Sequence, residues 1–157
     1  MDNSFTPVTR YLTNRNLPFR IFIHLNQGIS LKQAAFERDQ IPEQIIRTIV
    51  FRCHKDQFII VLMPGNHRVS WTALRKYIGK SRISMASEEE VLEATGYRLG
   101  AVAPLNLPSP TRILVDQSVL DHEEISIGSG KRGVAVIMKS VDLLDAIGEY
   151  ELNSFSE

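Results

Sequence analysis

Gly128-Ser129-Gly130-Lys131-Arg132-Gly133 spells a literal G-x-G-x-x-G. In a Rossmann unit that pattern turns a strand into a helix beneath a pyrophosphate. Here residues 134–138, Val-Ala-Val-Ile-Met, follow and read as a strand, so the helix N-terminus that would hold the phosphates is missing. A Walker A loop fails too, because Lys131 is followed by Arg132 and not by Ser or Thr. Two readings stay open: a glycine-rich connection between strands, and a backbone nest for a phosphate or oxyanion flanked by Lys131 and Arg132.

Cys53 next to His54 invites comparison with a cysteine hydrolase, since a thiol needs a base to become a nucleophile. Neighbours on a strand point to opposite faces, so these two cannot pair, and Cys53 reads as a small buried side chain. The His residues at 24, 54, 67 and 122 show no i, i+4 pair and no H-E-x-x-H. No metal site and no cofactor are expected from them. His24 stands apart: it ends a predicted strand beside Asn26-Gln27-Gly28, where polar side chains often meet ligands, the alternative being a solvated strand end. Between residues 65 and 87 lie Arg68, Arg75, Lys76, Lys80 and Arg82 with no acidic residue, whereas 88–93 carries four Glu. Such a stretch either meets a nucleic-acid backbone or is a solvated helix face.

The elements that must position these groups follow from periodicity and caps. Val8, Tyr11 and Leu12 predict a first helix over 6–16, closed by Leu17-Pro18. Residues 19–24 read as a strand, and Ser30 with Gln33 opens a short helix over 31–38. Pro42 sits where a helical first turn tolerates it. Residues 47–53 and 57–63 form two β-rich runs joined by His54-Lys55-Asp56, a hairpin. Ser70 caps a helix that Gly79 ends, and Ser87 with Glu90 caps another that runs to Thr95. Residues 96–110 carry two Gly and three Pro and read as an ordered loop. Three strands are expected at 112–115, 124–127 and 134–138, then a helix over 141–147 capped by Ser140, with a polar tail free to fray after Gly148. The fold class is mixed α/β (α+β): a mainly antiparallel or mixed sheet flanked by helices, because strands come in runs.

Length and composition bound the rest. The chain has 157 residues, 43% hydrophobic and 23% charged, with 18 basic and 18 acidic side chains. This is enough for a proper core without metal or disulfide, and the composition predicts one domain over 1–157. A lone cysteine fits a reducing compartment, hence a cytoplasmic expectation. The N-terminus lacks a basic run before an apolar segment, so no secretory signal is expected. The longest apolar run, 58–63, is far short of the roughly 20 residues a membrane span needs, so no membrane partner is expected.

Four pieces in order, Ile45-Ile-Arg-Thr-Ile-Val50, Thr95-Gly-Tyr-Arg-Leu-Gly100-Ala-Val-Ala-Pro104, Gly130-Lys-Arg-Gly133 and Asp142-Leu-Leu144, resemble the YbaK and prolyl-tRNA editing domain family. The likeness runs from about Leu17 to Gly148. Its most specific piece is T-G-Y-x-x-G-x-x-x-P, which supplies the loop between Gly100 and Pro104.

The resemblance implies a mixed α/β editing domain that hydrolyses the ester between a small wrong amino acid and the terminal ribose of a tRNA, of the Cys-tRNA(Pro) or Ala-tRNA(Pro) type. An activated ester needs water or a substrate group positioned and an oxyanion stabilised, so no protein nucleophile is required. Arg47 and Gly100 become the expected catalytic residues. His24, Thr48, Pro104, Gly128, Ser129, Gly130, Lys131 and Arg132 become the expected substrate contacts. Arg75 and Lys76 are expected to hold the tRNA acceptor end, with a synthetase as a further partner. Two departures stand out. The family's Lys-Thr pair is Arg47-Thr48 here, and the family's glycine-loop Ser is Gly128, with Ser129 one place later. Arg47 favours a rival reading, a weak or inactive relative that binds tRNA or a synthetase. Hydrolysis of another small ester or binding of a nucleotide on the same scaffold is the second rival.

Overall fold

The computed structural model describes residues 5–26 and 28–157. Residues 1–4, where a signal segment would begin, and Gln27 of the loop beside His24 lie outside the described residues. Helix α1 (Pro7–Asn14) starts where the Thr6 hydroxyl accepts from the Thr9 N–H and Pro7 fills the first turn. Strand β1 (Arg20–Ile23) follows. Helix α2 (Leu31–Glu37) is capped by Ser30 through the Gln33 N–H, and a 3-10 turn (Pro42–Gln44) leads into the hairpin.

The hairpin strands are β2 (Ile46–His54) and β3 (Gln57–Pro64). His54 pairs with Gln57, so the turn is only Lys55-Asp56, one residue shorter than expected. An irregularity between Arg52 and His54 and a left-handed Asp56 at φ 62° absorb the difference. Then come α3 (Trp71–Ile78), β4 (Ser84–Met85), α4 (Glu88–Thr95), β5 (Arg112–Asp116), a 3-10 turn (Gln117–Asp121), β6 (Glu124–Gly128), β7 (Val134–Lys139), α5 (Ser140–Ile147) and β8 (Glu151–Asn153). The capping box at Ser87 and Glu90 forms as read, and Gly79 and Gly96 take the left-handed conformation that ends α3 and α4.

Two sheets result, an antiparallel one ordered β1-β7-β6 and a mixed one ordered β4-β2-β3-β5-β8. They meet where Ile45 bridges Ser126 in parallel. The main core lies between them: Ile46 and Val50 of β2, Leu62 of β3, Val115 of β5, Ile125 and Ile127 of β6 and Val136 of β7 join Leu12 and Leu143. A second core on the far face of the five-stranded sheet packs Phe51, Ile59, Val61 and Met63 against Leu74 of α3 and Phe155. Strand alternation therefore assigns the even residues of β2 to the inner face and the odd ones to the outer face.

Two expectations at the C-terminal end need correction. Ser140 is the first residue of α5 and not its cap, and its hydroxyl donates to the His122 carbonyl at 2.9 Å. The tail does not fray: β8 pairs in parallel with β5, and Phe155 is fully buried, its N–H donating to Asp116 Oδ1 at 2.6 Å. Burial of one aromatic ring outweighs the polar composition that made the tail look loose.

Candidate active site

The glycine-rich segment is the hairpin turn between β6 and β7 and a platform for the loop at 99–105. A Cβ on Gly128 would lie 2.3 Å from the Val102 carbonyl oxygen, so only glycine lets the two main chains touch. The Gly130 N–H donates to the Ala101 carbonyl at 2.9 Å and Arg132 Nε to the Leu99 carbonyl at 2.9 Å. Ser129 is completely buried; its hydroxyl donates within the turn to the carbonyls of Val134 (2.6 Å) and Lys131 (3.0 Å). The hydroxyl of Ser129 is thus spent on shaping the turn.

Pinning the loop opens a cleft where the two sheets meet. An inner cavity of about 270 Å³ is walled by Ile45, Arg47, Thr48, Val102, Gly128 and Ala135 among others. An outer one of about 480 Å³ is walled by Asn26, Ile29, Ala34 and Arg132. His24, Arg38, Leu99, Gly100 and Gly133 border both, so they form the waist of one continuous cleft. Gly100 holds φ at 91°, and its N–H donates to no group among the described residues. Among the described residues no Asp, Glu, Ser or Cys lines either cavity, while three arginines do.

A directed chain of hydrogen bonds runs behind the waist. Arg38 Nε donates to His24 Nε2 at 2.9 Å, which fixes that nitrogen as an acceptor. The imidazole proton then sits on Nδ1 and points to Glu37 Oε1 at 2.8 Å. Arg38 Nη1 donates to Ser126 Oγ at 2.9 Å, and Ser126 donates to Gln40 Oε1 at 2.9 Å. The bond from His24 holds the Glu37 carboxyl below its ordinary range. Burial pushes the Arg38 guanidinium down to about 10, still protonated near neutrality. Both ring nitrogens of His24 are occupied, and its side chain is only 6% exposed.

Arg47 is committed differently. It shares the outer face of β2 with Ile49 and Phe51, and its Nη2 donates to the carbonyls of Pro64 (3.3 Å) and His67. Its Nε is buried without a partner, as is Thr48 Oγ1, and burial lowers the Arg47 guanidinium. Of the residues expected at the site, His24, Arg47, Thr48, Gly100, Gly128 and Arg132 wall the cleft. Pro104, Ser129, Gly130 and Lys131 support it from behind and do not line it. Arg75 and Lys76 sit on the last turn of α3, outside the cleft. Arg38, Glu37, Gln40 and Ser126 were not legible as site residues. Glu37-Arg38 ends a short helix and reads as surface charge, and Ser126 reads as a solvent-facing strand position.

The aminoacyl-tRNA editing domain model matches residues 27–146, three quarters of the chain. The chain belongs to the aminoacyl-tRNA editing domain family. Its mixed α/β fold is that of the family. A proline–tRNA ligase of Streptococcus thermophilus is 27% identical over 83% of this chain, and one of Lactiplantibacillus plantarum is 30% identical over 58%. The chain spans only about a fifth of the length of the curated ligases it matches, 20% and 16% of these two. The crystal structure of hypothetical protein APE2540 superposes with a TM-score of 0.85 at 25% identity, covering 96% of this chain and 99% of that one. A candidate trans-editing enzyme for prolyl tRNA synthetase has the same fold, with a TM-score of 0.85 at 23% identity over 98% of this chain and 99% of its own. In this editing domain the matched region contains every residue that walls the inner cavity except His24. No helix among the described residues is long and apolar enough to cross a membrane.

Proposed function

We propose that this editing domain works in trans, hydrolysing the ester that joins a small misattached amino acid to the terminal ribose of a tRNA, of the Cys-tRNA(Pro) or Ala-tRNA(Pro) type. The observation that carries this reading is the waist of the cleft: Gly100, whose N–H donates to no group among the described residues, lines a pocket in which the described residues place no carboxylate or thiol. A pocket of that composition fits a reaction whose electrophile is already activated and whose nucleophile is water or a substrate hydroxyl. The Gly100 N–H supplies a fixed donor to the oxyanion, a type of contact whose removal costs about 10²–10³ in kcat elsewhere. The inner cavity takes the aminoacyl side chain, and its size excludes larger ones. The outer cavity, with Arg132 at its wall, takes the terminal nucleotide.

Thr48, with its orphaned hydroxyl, contacts the substrate from the wall of the inner cavity. Gly128 and the turn of Ser129, Gly130 and Lys131 act by holding the 99–105 loop at its working height, and Pro104 by stiffening it. Arg75 and Lys76 meet the acceptor stem beyond the terminal nucleotide, with a synthetase as a further partner in a cytoplasmic setting. One observation favours a second reading, a tRNA-binding relative without turnover: Arg47, which replaces the family's lysine, spends Nη2 on main-chain carbonyls. Purified protein incubated with a panel of mischarged tRNAs separates the two. Faster loss of one small aminoacyl group than in buffer supports the enzyme, and tRNA binding with no turnover on any member supports the binding module.

A further inference from the structure

The half-buried cation at the waist, Arg38, has no role in the reading above. Among the described residues, Arg38 is the one Arg, Lys, Asp or Glu that borders both halves of the cleft. Its Nε and Nη1 are held by His24 and Ser126, which leaves Nη2 as the nitrogen not engaged by either. The His24 ring is itself locked by Glu37, and Ser126 by Gln40. Four side chains from α2, the loop after it, β6 and the end of β1 thus converge on one guanidinium. His24 and Ser126 bond it directly, and Glu37 and Gln40 act through them. A guanidinium fixed in this way cannot swing to follow a mobile ligand; it presents one edge at one place. Gly100, whose N–H donates to no group among the described residues, borders the same two cavities.

We infer that Arg38 is a catalytic residue of this domain, stabilising the oxyanion of the ester at the waist together with Gly100, and that Glu37 and His24 are positioning residues acting through it. The inference rests on the deacylase reading. In the step it assists, a water oxygen adds to the acyl carbon and the carbonyl π pair moves onto the carbonyl oxygen. Collapse of that adduct breaks the ester C–O bond, and the ribose oxygen leaves with the proton the water gives up. Charge grows on the carbonyl oxygen only in the transition state, so a preset cation there acts on kcat and leaves ground-state binding alone. Its effect is the same whatever the amino acid, because the carbonyl is common to all of them.

The test compares wild type with Arg38→Met, Glu37→Gln and the double variant, using alanyl- and cysteinyl-tRNA(Pro) and single-turnover rates alongside KM. Arg38→Met lowers kcat about 100-fold on whichever substrates the wild type cleaves, by one common factor, with KM held within about threefold. Glu37→Gln lowers kcat about tenfold and adds nothing in the double variant, as expected of groups acting as one unit. Unchanged kcat in Arg38→Met, a loss confined to KM, a loss that differs tenfold between the two amino acids, or additive effects overturns the proposal. If Arg38→Met does not fold by circular dichroism, Glu37→Gln decides alone: a kcat loss at constant KM supports the proposal and wild-type kcat overturns it. Wild-type turnover is the internal control. Its absence overturns the deacylase reading and this one with it, whereas turnover that ignores Arg38 overturns this one only.

Discussion

At the scale of single residues, the cleft contains polar atoms that the folded protein leaves unpaid for in hydrogen bonds. Thr48 Oγ1 is the clearest: it faces inward on β2, is buried, and has no partner. A buried hydroxyl in that state costs about 1–3 kcal/mol. Thr48→Val keeps the shape and removes the unsatisfied atom. We therefore expect the variant to unfold at equal or higher urea, by up to about 1 kcal/mol, while kcat/KM for the aminoacyl-tRNA falls about tenfold, the size of one lost hydrogen bond. A destabilised variant with unchanged kcat/KM contradicts this assignment. The residue scale also separates what spacing can and cannot reveal. Gly128 is legible from a motif because the main chain itself must come close to the Val102 carbonyl of the 99–105 loop there. Arg38 is not, since its importance arises from His24 at a distance of 14 positions and Ser126 at 88. No local pattern encodes those partners.

At the scale of elements, capping chemistry made most helices legible. Ser30, Ser70 and Ser87 each accept from the N–H three residues on, and the expected glycines end α3 and α4. Ser140 shows the limit: a Ser before an apolar run is a cap only if its backbone stays extended, and here it is already helical and bonded to His122. The C-terminal strand escaped for a different reason. Three residues of β8 carry no period of their own and are held by β5 and by Phe155, whose ring stands edge-on to Tyr77 at 5.0 Å. Phe155→Ala should cost about 3–5 kcal/mol in urea unfolding. A loss below about 1 kcal/mol would mean that the tail is not part of the second core.

At the scale of the whole molecule, the neutral total charge conceals how the charges are used. Glu37, Glu90 and Glu151 all titrate below their ordinary 4.5, held down first by His24, by the Ser87 backbone and by Arg112 respectively. A carboxyl depressed in the folded state contributes stability above its unfolded value and loses it as pH falls. Tyr97 is pushed up to about 12 by burial, so the folded state holds its proton where the unfolded chain, with its value near 10, has released it. Stability should thus be flat between about 5 and 9 and fall on acidification below 4.5; above 10 the loss from Tyr97 is opposed by Arg38, whose folded value of about 10 lies below its ordinary 12.5, so the two partly cancel. Glu151→Gln should shrink the acid arm, because its carboxylate accepts two bonds from Arg112 at 2.6 and 2.8 Å. Urea unfolding across pH checks this, and an acid arm unchanged in Glu151→Gln contradicts it. The two-sheet arrangement was only partly legible. Runs of strands implied a mixed or antiparallel sheet, but the division at Ile45 and Ser126 that opens the cleft depends on a single bridge far apart in sequence.

The central claim is hydrolysis of a small aminoacyl ester on tRNA, and the most direct measurement is the deacylation rate of alanyl- and cysteinyl-tRNA(Pro) against correctly charged prolyl-tRNA(Pro). At least one of the small mischarged species should be hydrolysed at least 100-fold faster than in buffer while prolyl-tRNA(Pro) is spared. Hydrolysis of neither species above the buffer rate, or equal hydrolysis of all three, would contradict it.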